Sequence, residues 1–369
     1  MASAYGTKLA EGFSNKLMLK LYDRSLIGEI VNRDYEGEIN EIGSKLNILA
    51  FDKVTEKTYA DTAMSADSLY EQNAQVIIDQ YKSFYWKEKV LARWLSYIKS
   101  PHATIVDQVS NERSKNMDEF VFGAYSDVGA GNRVGTDYEI GTVTITTSTG
   151  AVVGSGTTFT EAMEGRGFKA DGHTTWYRVK DYTDATHITI EDDLDDVDSV
   201  YSGGAISGGS TYVIEAATKV QITTANILEY IGKLKLKLDE AEANGYSTVP
   251  SSDRWLILPP KMIDLIPRAT GVALHVPEVY SELVKKGLVT QLLDFKIYSS
   301  NRLTGDNDDG FRVLAGHKNW LTFAEKVLQV RMEEDLPGDF GTAYKDLFVY
   351  GKKVTDSRRH QATEGFWYV

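Results

Sequence analysis

Hydrophobic residues recur along the chain with two different periods, every second residue in some segments and every third or fourth residue in others. The first period predicts strands and the second predicts helices. Between Tyr138 and Glu215 hydrophobic and polar residues alternate in short runs, as in strands with one buried face. Such runs lie at 142–146, 174–179, 187–190 and 211–214, and glycine-rich segments lie at 129–131 and 202–209. This pattern predicts an all-β domain at 138–215, inserted into a host fold.

Helical spacing appears on both sides of this region. From 224 to 243, apolar residues recur at steps of three and four behind Thr224, which predicts a helix capped by that residue. The same spacing is less regular at 13–33 and at 90–124, where Pro101 suits the first turn of a helix. The clearest stripe is that of the 224–243 helix: Ile227, Ile231, Leu234, Leu238 and Ala241.

Extended chain is predicted at 45–59 and 75–87, where β-branched and aromatic residues flank a polar stretch at 61–72. A two-stranded ribbon is marginally stable alone, so a ribbon formed by these segments needs partners. Further strands are predicted at 255–258, 295–298, 311–315 and 323–332. The host is therefore expected to be a mixed α+β fold.

Composition narrows the possible functions. The 369 residues allow two domains, or one large domain with an insertion. The absence of cysteine excludes disulfides, thiolate catalysis and cysteine-ligated metals. A net charge of −13 argues against general nucleic-acid binding, and no apolar stretch has the length of a membrane span.

The charge is concentrated in the predicted insertion. Residues 138–215 contain 13 Asp or Glu and 4 Lys or Arg, so they hold −9 of the total. Such a charge would be costly against copies of itself and cheap in solvent, so we expect this domain to project from the molecule.

Residue patterns that could carry catalysis are weak, so we expect no enzyme, no cofactor and no metal. Ser96 and Lys99 have the S-x-x-K spacing of some serine acylases, but the companion motifs are missing. The glycines of 129–135 miss the phosphate-loop spacing by one residue, and the six histidines show no metal-ligand spacing. The acidic run 191–198 contains no glycine for a tight calcium loop, and 306–310 has turn composition.

Three passages of the chain are distinctive in their residues and their order. The segment from Ile105 to Tyr125 has a helical pattern. The helix at 224–243 is followed by Arg254-Trp255, an apolar strand and Pro259-Pro260, and then by the stretch from Phe295 to Asn301. In these passages and in the order of its elements, the chain resembles the major capsid proteins of tailed bacteriophages, which have the Hong Kong 97 fold. The passage at 254–260 is the most specific, 295–301 is similar to the family's G-apolar-FxIYxSN stretch, and 105–125 is similar to the end of the family's long helix.

The resemblance implies an α+β Hong Kong 97-like architecture. Its parts would be an N-terminal arm at 1–42, an extended hairpin loop at 43–88, a peripheral spine helix at 89–137, the inserted small β-domain at 138–215, and the apical and peripheral remainder at 216–369. It also implies a structural protein that assembles into pentamers and hexamers of an icosahedral head shell around double-stranded phage DNA. Implied partners are other copies, a separate scaffolding protein and a portal, with a decoration protein left open. The implied location is the virion shell, assembled in the host cytoplasm.

Subunit contacts are expected on the arm and the extended loop, because neither can bury its apolar residues within its own chain. The candidate interface residues are Phe13, Leu17, Phe51, Tyr59, Tyr81, Phe84 and Trp86. Phe84 and Trp86 are predicted to lie at the aromatic end of the hairpin, against a neighbouring subunit.

Two other functions stay open at this stage. The chain could be a carbohydrate- or surface-binding structural protein that uses Trp176, Tyr177 and Tyr182 of the insertion as stacking residues. It could also be an enzyme with an acidic site built on Asp192, Asp193 and Asp195.

Overall fold

A computed structural model describes residues 25–34, 45–51, 71–89, 101–192, 199–241, 248–269, 291–333 and 341–369, with the backbone alone for 45–51, 71–74, 88–89, 101–106, 291 and 356. These residues fall into two compact units. The first lies within 1–118 and 321–355, and the second within 119–320 and 356–369. The helices are α1 (Ile27–Ile30), α2 (Pro101–Phe122), α3 (Ile227–Asp239) and α4 (Pro260–Ile263).

The first unit contains a two-stranded ribbon and a three-stranded sheet. The ribbon pairs β1 (Lys45–Phe51) with β2 (Glu71–Ile77) in antiparallel register. The sheet has the order β18-β19-β3, formed by β18 (Leu321–Glu333), β19 (Gly341–Val354) and β3 (Gln80–Lys89). The segment predicted as extended at 323–332 is confirmed as a strand. The segment predicted at 45–59 is a strand over 45–51, and 52–59 lie outside the described residues. The segment predicted at 75–87 is extended but is divided between the end of β2 and β3.

The root of the ribbon packs on one side of this sheet. Val76 and Ile78 are buried against Ala324 and Val349. A Cβ added to Gly351 would lie 2.3 Å from the backbone oxygen of Ile77, so only glycine allows the chain to pass so close to β19. The ribbon therefore leaves the sheet at a fixed point.

The second unit contains a mixed sheet covered by α3. Its strand order is β13-β20-β17-β14-β16-β15, with β4 (Arg133–Val134) also pairing with β20. The other strands are β13 (Val220–Gln221), β14 (Arg254–Leu258), β15 (Gln291–Leu292), β16 (Phe295–Ser299), β17 (Phe311–His317) and β20 (Ala362–Tyr368). The strands predicted at 255–258, 295–298 and 311–315 are confirmed.

Helix α3 confirms the three-and-four spacing seen in the sequence. All five residues of the predicted stripe are buried, in one core with Leu256, Val313 and Trp367. The predicted cap is wrong, because the N-cap residue is Asn226 and not Thr224. The Asn226 Oδ1 atom accepts a hydrogen bond from the Thr223 backbone N–H at 2.7 Å, which closes the turn before the helix.

A separate eight-stranded sheet occupies 136–218 in the second unit, with the order β11-β6-β7-β10-β9-β8-β12-β5. Its strands are β5 (Thr136–Tyr138), β6 (Thr142–Ile145), β7 (Ala151–Ser155), β8 (Gly167–Ala170), β9 (Tyr177–Asp184), β10 (His187–Glu191), β11 (Ile206–Ser210) and β12 (Tyr212–Thr218). Three of the predicted strands start within a residue of their observed positions, whereas the one predicted at 174–179 begins at Tyr177. This sheet has its own core, which includes Phe159, Phe168, Ile190 and Ile214.

A buried charge cluster joins the eight-stranded sheet to the mixed sheet. The carboxylate of Glu364, on β20, accepts hydrogen bonds from Arg133 at 2.9 Å, Arg166 at 2.8 Å and Arg312 at 3.0 Å. Arg166 lies in the turn before β8, so it reaches the mixed sheet from the predicted insertion. The Arg312 guanidinium also lies 3.6 Å from the centroid of the Phe366 ring. Burial lowers the pKa of Arg166 to about 9, even though Glu364 opposes the shift.

We expect Glu364→Gln to destabilise the protein by about 3–5 kcal/mol, because it leaves three buried guanidinium groups without their countercharge. Urea unfolding monitored by tryptophan fluorescence measures this loss. The control is Glu229→Gln, which removes the exposed partner of Lys233 and should change the midpoint little. Equal midpoints for the two variants would contradict a structural role for the cluster.

The same cluster predicts an acid-dependent loss of stability. Burial alone would raise the pKa of Glu364, but attraction to Arg166, Arg133 and Arg312 lowers it below 4.5. A carboxyl whose pKa is lower in the folded state binds its proton more readily when unfolded. Its stabilising contribution is therefore fully present above pH 4.5, and is lost as the pH falls through the folded-state pKa. The urea midpoints of the wild type and Glu364→Gln should converge below pH 4.5, and a constant difference would contradict this account.

Candidate subunit interface

Strand β3 carries most of the described interface candidates, and its two faces have different surroundings. Successive side chains of a strand point to opposite faces. Phe84 and Trp86 therefore share one face, whereas Tyr81 and Tyr85 share the other. The first pair is half-buried, and the second pair is 47% and 57% exposed.

The face with Phe84 and Trp86 packs within its own chain. The Trp86 ring stacks on Tyr344, directly opposite on β19, with centroids 4.2 Å apart and an interplanar angle of 14°. The Arg113 guanidinium, on α2, lies 5.2 Å from the centroid of the Phe84 ring. This face is therefore already occupied by neighbours from the same chain.

A buried ion pair fixes this packing. Arg113 binds the carboxylate of Asp346, which also accepts a hydrogen bond from the Phe84 backbone N–H at 2.9 Å. Both side chains are almost fully buried. Burial lowers the pKa of Arg113, and the nearby Asp346 opposes that shift. The helix and the two strands are thus joined at one point by charge and hydrogen bonding.

These contacts correct the prediction for the end of the extended loop. Residues 43–88 were expected to form one ribbon whose aromatic end lacks partners in its own chain. Instead, the ribbon pairing stops at Ile77, and 80–89 pair with β19. Phe84 and Trp86 accordingly pack against their own chain. The alternation of β3 did not reveal which sheet it would join, because alternation reports a buried face and not a strand partner.

The other candidates divide into two groups. Phe13, Leu17 and Tyr59 lie outside the described residues, and Phe51 ends β1, where only the backbone is described. Tyr81 is exposed on β3, although its hydroxyl donates to the Ile78 carbonyl at 2.8 Å. Two further exposed residues were not nominated from the sequence, Ile77 and Tyr85. Their position in the alternating pattern, out of phase with the buried Val76 and Ile78, was the available signal.

Two of the segments considered for catalysis lie among the described residues, and both have a structural role. A Cβ on Gly129 would lie 2.5 Å from the His360 ring, so this glycine permits close packing. Asp306 accepts hydrogen bonds from the backbone of Asp308 and Asp309, which lower its pKa and confirm the predicted turn. Ser96, Lys99 and residues 193–198 lie outside the described part of the chain. Among the residues that the structure describes, no cluster of three His, Asp or Glu side chains could hold a metal.

The stacking residues proposed for carbohydrate binding do not form a common exposed surface. Trp176 is 37% exposed, whereas Tyr177 belongs to the core of the eight-stranded sheet and Tyr182 is half-buried. Within the described residues, no helix combines the length and apolar composition needed to span a bilayer.

Comparison with solved structures defines the fold. The chain is similar to a structure of Mycobacterium phage Che8, with 17% identity, 92% of this chain and 90% of that chain covered, and a TM-score of 0.54. It is also similar to the capsid structure of the cyanophage P-SCSP1u, with 13% identity, coverage of 89% and 84%, and a TM-score of 0.50. No protein-family model and no curated protein matches the sequence.

The chain therefore has the fold of a phage capsid protein. Within that class its mixed α+β architecture is that of the Hong Kong 97-like major capsid proteins, as the sequence resemblance implied.

The two faces of β3 can be distinguished by their effect on folding. We expect Trp86→Ala to lower stability by about 2 kcal/mol, since it removes the stacked Tyr344 contact. The matched control is Tyr85→Ala, one position away on the exposed face, which should change stability by less than about 0.5 kcal/mol. Thermal unfolding of the two variants measures the difference. Equal melting temperatures would contradict the assignment of faces.

Proposed function

We propose that this chain is the major capsid protein of a tailed bacteriophage, whose copies assemble into pentamers and hexamers of an icosahedral shell around double-stranded DNA. The observation that carries this proposal is the similarity to a phage capsid structure over nearly the whole length of both chains. The sequence motifs around Trp255 and Phe295 support it independently, because they are local features of the sequence and do not depend on the fold comparison.

The ribbon supports the proposal on physical grounds. Strands β1 and β2 pair with each other and form a two-stranded sheet. A ribbon of this kind gains stability when another surface covers it. In a shell, neighbouring copies would supply that surface. Phe51 and Tyr59, with Phe13 and Leu17 of the arm, remain our candidates for this contact.

The proposal includes the partners and the location that the family implies. A separate scaffolding protein and a portal would act during assembly in the host cytoplasm, and the finished protein would reside in the virion. The role is structural, without a cofactor. The predicted insertion would project from the outer surface, where its charge of −9 meets solvent.

The competing role in carbohydrate binding has less support. It requires neighbouring exposed aromatic rings, and Tyr177 is only 9% exposed. We therefore infer that the eight-stranded sheet is not a stacking platform built on Trp176, Tyr177 and Tyr182.

Purified protein should form closed particles of megadalton mass, because a shell requires many copies in a closed arrangement. Light scattering measures the mass and negative-stain microscopy shows the shape, with and without a co-expressed scaffolding protein. A chain that stays monomeric under every condition, including co-expression, would contradict the proposal.

A further inference from the structure

The three-stranded sheet has an open end on the face opposite Phe84 and Trp86. Cross-strand register places Tyr85 beside Lys345, and Lys345 beside Arg331, in one row across the sheet. The next row contains Lys87, Ala343 and Glu333. Residues directly opposite one another on antiparallel strands point to the same face. Tyr85, Lys87, Arg331, Glu333 and Lys345 therefore share one surface, which we name the basic strand face.

This surface is cationic in an acidic protein. It carries three cations and one carboxylate, whereas the whole chain has a net charge of −13. Lys345 binds Glu333, and the Lys87 ammonium lies 5.7 Å from the centroid of the Tyr85 ring. Lys345 and Arg331 are direct cross-strand neighbours, an arrangement of like charges that is unfavourable unless anions or solvent offset it.

The two ends of the same face differ in how far they are covered. The ribbon root, Val76 and Ile78, buries Val349 at one end. At the other end Tyr85 is 57% exposed, and the side chains of Lys345 and Glu333 are 39% and 43% exposed. Tyrosine and arginine are the residue types that protein interfaces favour at their centres.

We propose that the basic strand face docks an acidic surface of a second copy of this chain. This inference rests on the proposed function, since it names a contact within the shell. Copies that each carry a net charge of −13 repel one another. A cationic face gives such copies a place to meet with favourable electrostatics, which also sets the orientation of the contact. The basic strand face is complementary in charge to the acidic surface of another copy, which favours a second copy as the occupant. Nucleic acid is less favoured, because three cations with one carboxylate among them make few phosphate contacts.

The test uses the double variant Lys87→Gln with Arg331→Gln. These two cations of the basic strand face have no ion-pair partner among the described residues. This choice leaves the Lys345–Glu333 pair intact, so the sheet should keep its stability. The matched control is Lys261→Gln with Lys296→Gln, which makes the same charge change at exposed positions of the other unit. Thermal unfolding first verifies that both variants are folded. Assembly is then followed by light scattering against protein concentration, at low and high salt, with nuclease-treated protein.

We expect the concentration needed for assembly to rise about tenfold in the Lys87/Arg331 variant at low salt, and to stay unchanged in the control. The difference should shrink at high salt, where exposed charges are screened. Wild-type shells with equal assembly of the two variants would overturn this inference and leave the proposed function standing. Nucleic acid is also measured in each preparation before the nuclease treatment. If the Lys87/Arg331 variant lost the nucleic acid that co-purifies with the wild type and still assembled normally, the inference would be overturned in favour of nucleic acid as the occupant. A wild type that forms no particles would overturn the proposed function and this inference with it.

Discussion

The architecture of the second unit depends on one buried carboxylate. Glu364 is fully buried, and a charged group in such a place is tolerated only when it is paired and hydrogen-bonded. Its three arginine partners come from strand β4, from strand β17 and from the turn before β8. Segments that are more than two hundred residues apart in sequence must therefore meet at a single point. The sheet order of this unit and the attachment of the eight-stranded sheet are both compatible with that requirement, because they bring the three arginines to Glu364.

The cluster also changes how the predicted insertion is understood. Residues 138–215 contain four basic side chains, Arg166, Lys169, Arg178 and Lys180. Arg166 binds Glu364, and both Arg178 and Lys180 lie within 4 Å of the buried Glu191. Most of the positive charge in this segment is thus used for internal pairing. The remaining surface is correspondingly acidic, while the core of the segment stays separate from that of the mixed sheet.

The sequence predicted helices and strands correctly where the spacing of hydrophobic residues within one segment determines the structure. The stripe of α3 and the strand Arg254–Leu258 were predicted because burial of one helix face, or of a whole strand, leaves a local signature. It failed where the partner is distant. Nothing around Trp86 indicates Tyr344 as its stacking neighbour, and nothing around Glu364 indicates Arg166. The cap of α3 was misplaced for a related reason, since Thr223, Thr224 and Asn226 all have side chains that can close the turn.

The candidate interface depends on distant contacts in the same way. Aromatic composition drew attention to β3, but composition does not distinguish the face that packs on α2 from the face that stays open. Alternation separates Trp86 from Tyr85, but only the contacts of Trp86 with Tyr344 and of Phe84 with Arg113 show which face is packed. Cross-strand register creates the cationic row, which joins residues of β3 to residues of β18 and β19 much further along the chain.

The close passage of Ile77 over Gly351 has a mechanical consequence. Because the root of the ribbon is held against β19, the ribbon cannot swing about a loose joint where it meets the sheet. A force on the ribbon would pass into β3 through the two residues that join β2 to β3, Ile78 and Asp79. It would then act along the hydrogen bonds that pair β3 with β19. Shear of that kind must break many hydrogen bonds together. We therefore expect changes in the direction of the ribbon to come from bending along its length or from rotation of the whole sheet.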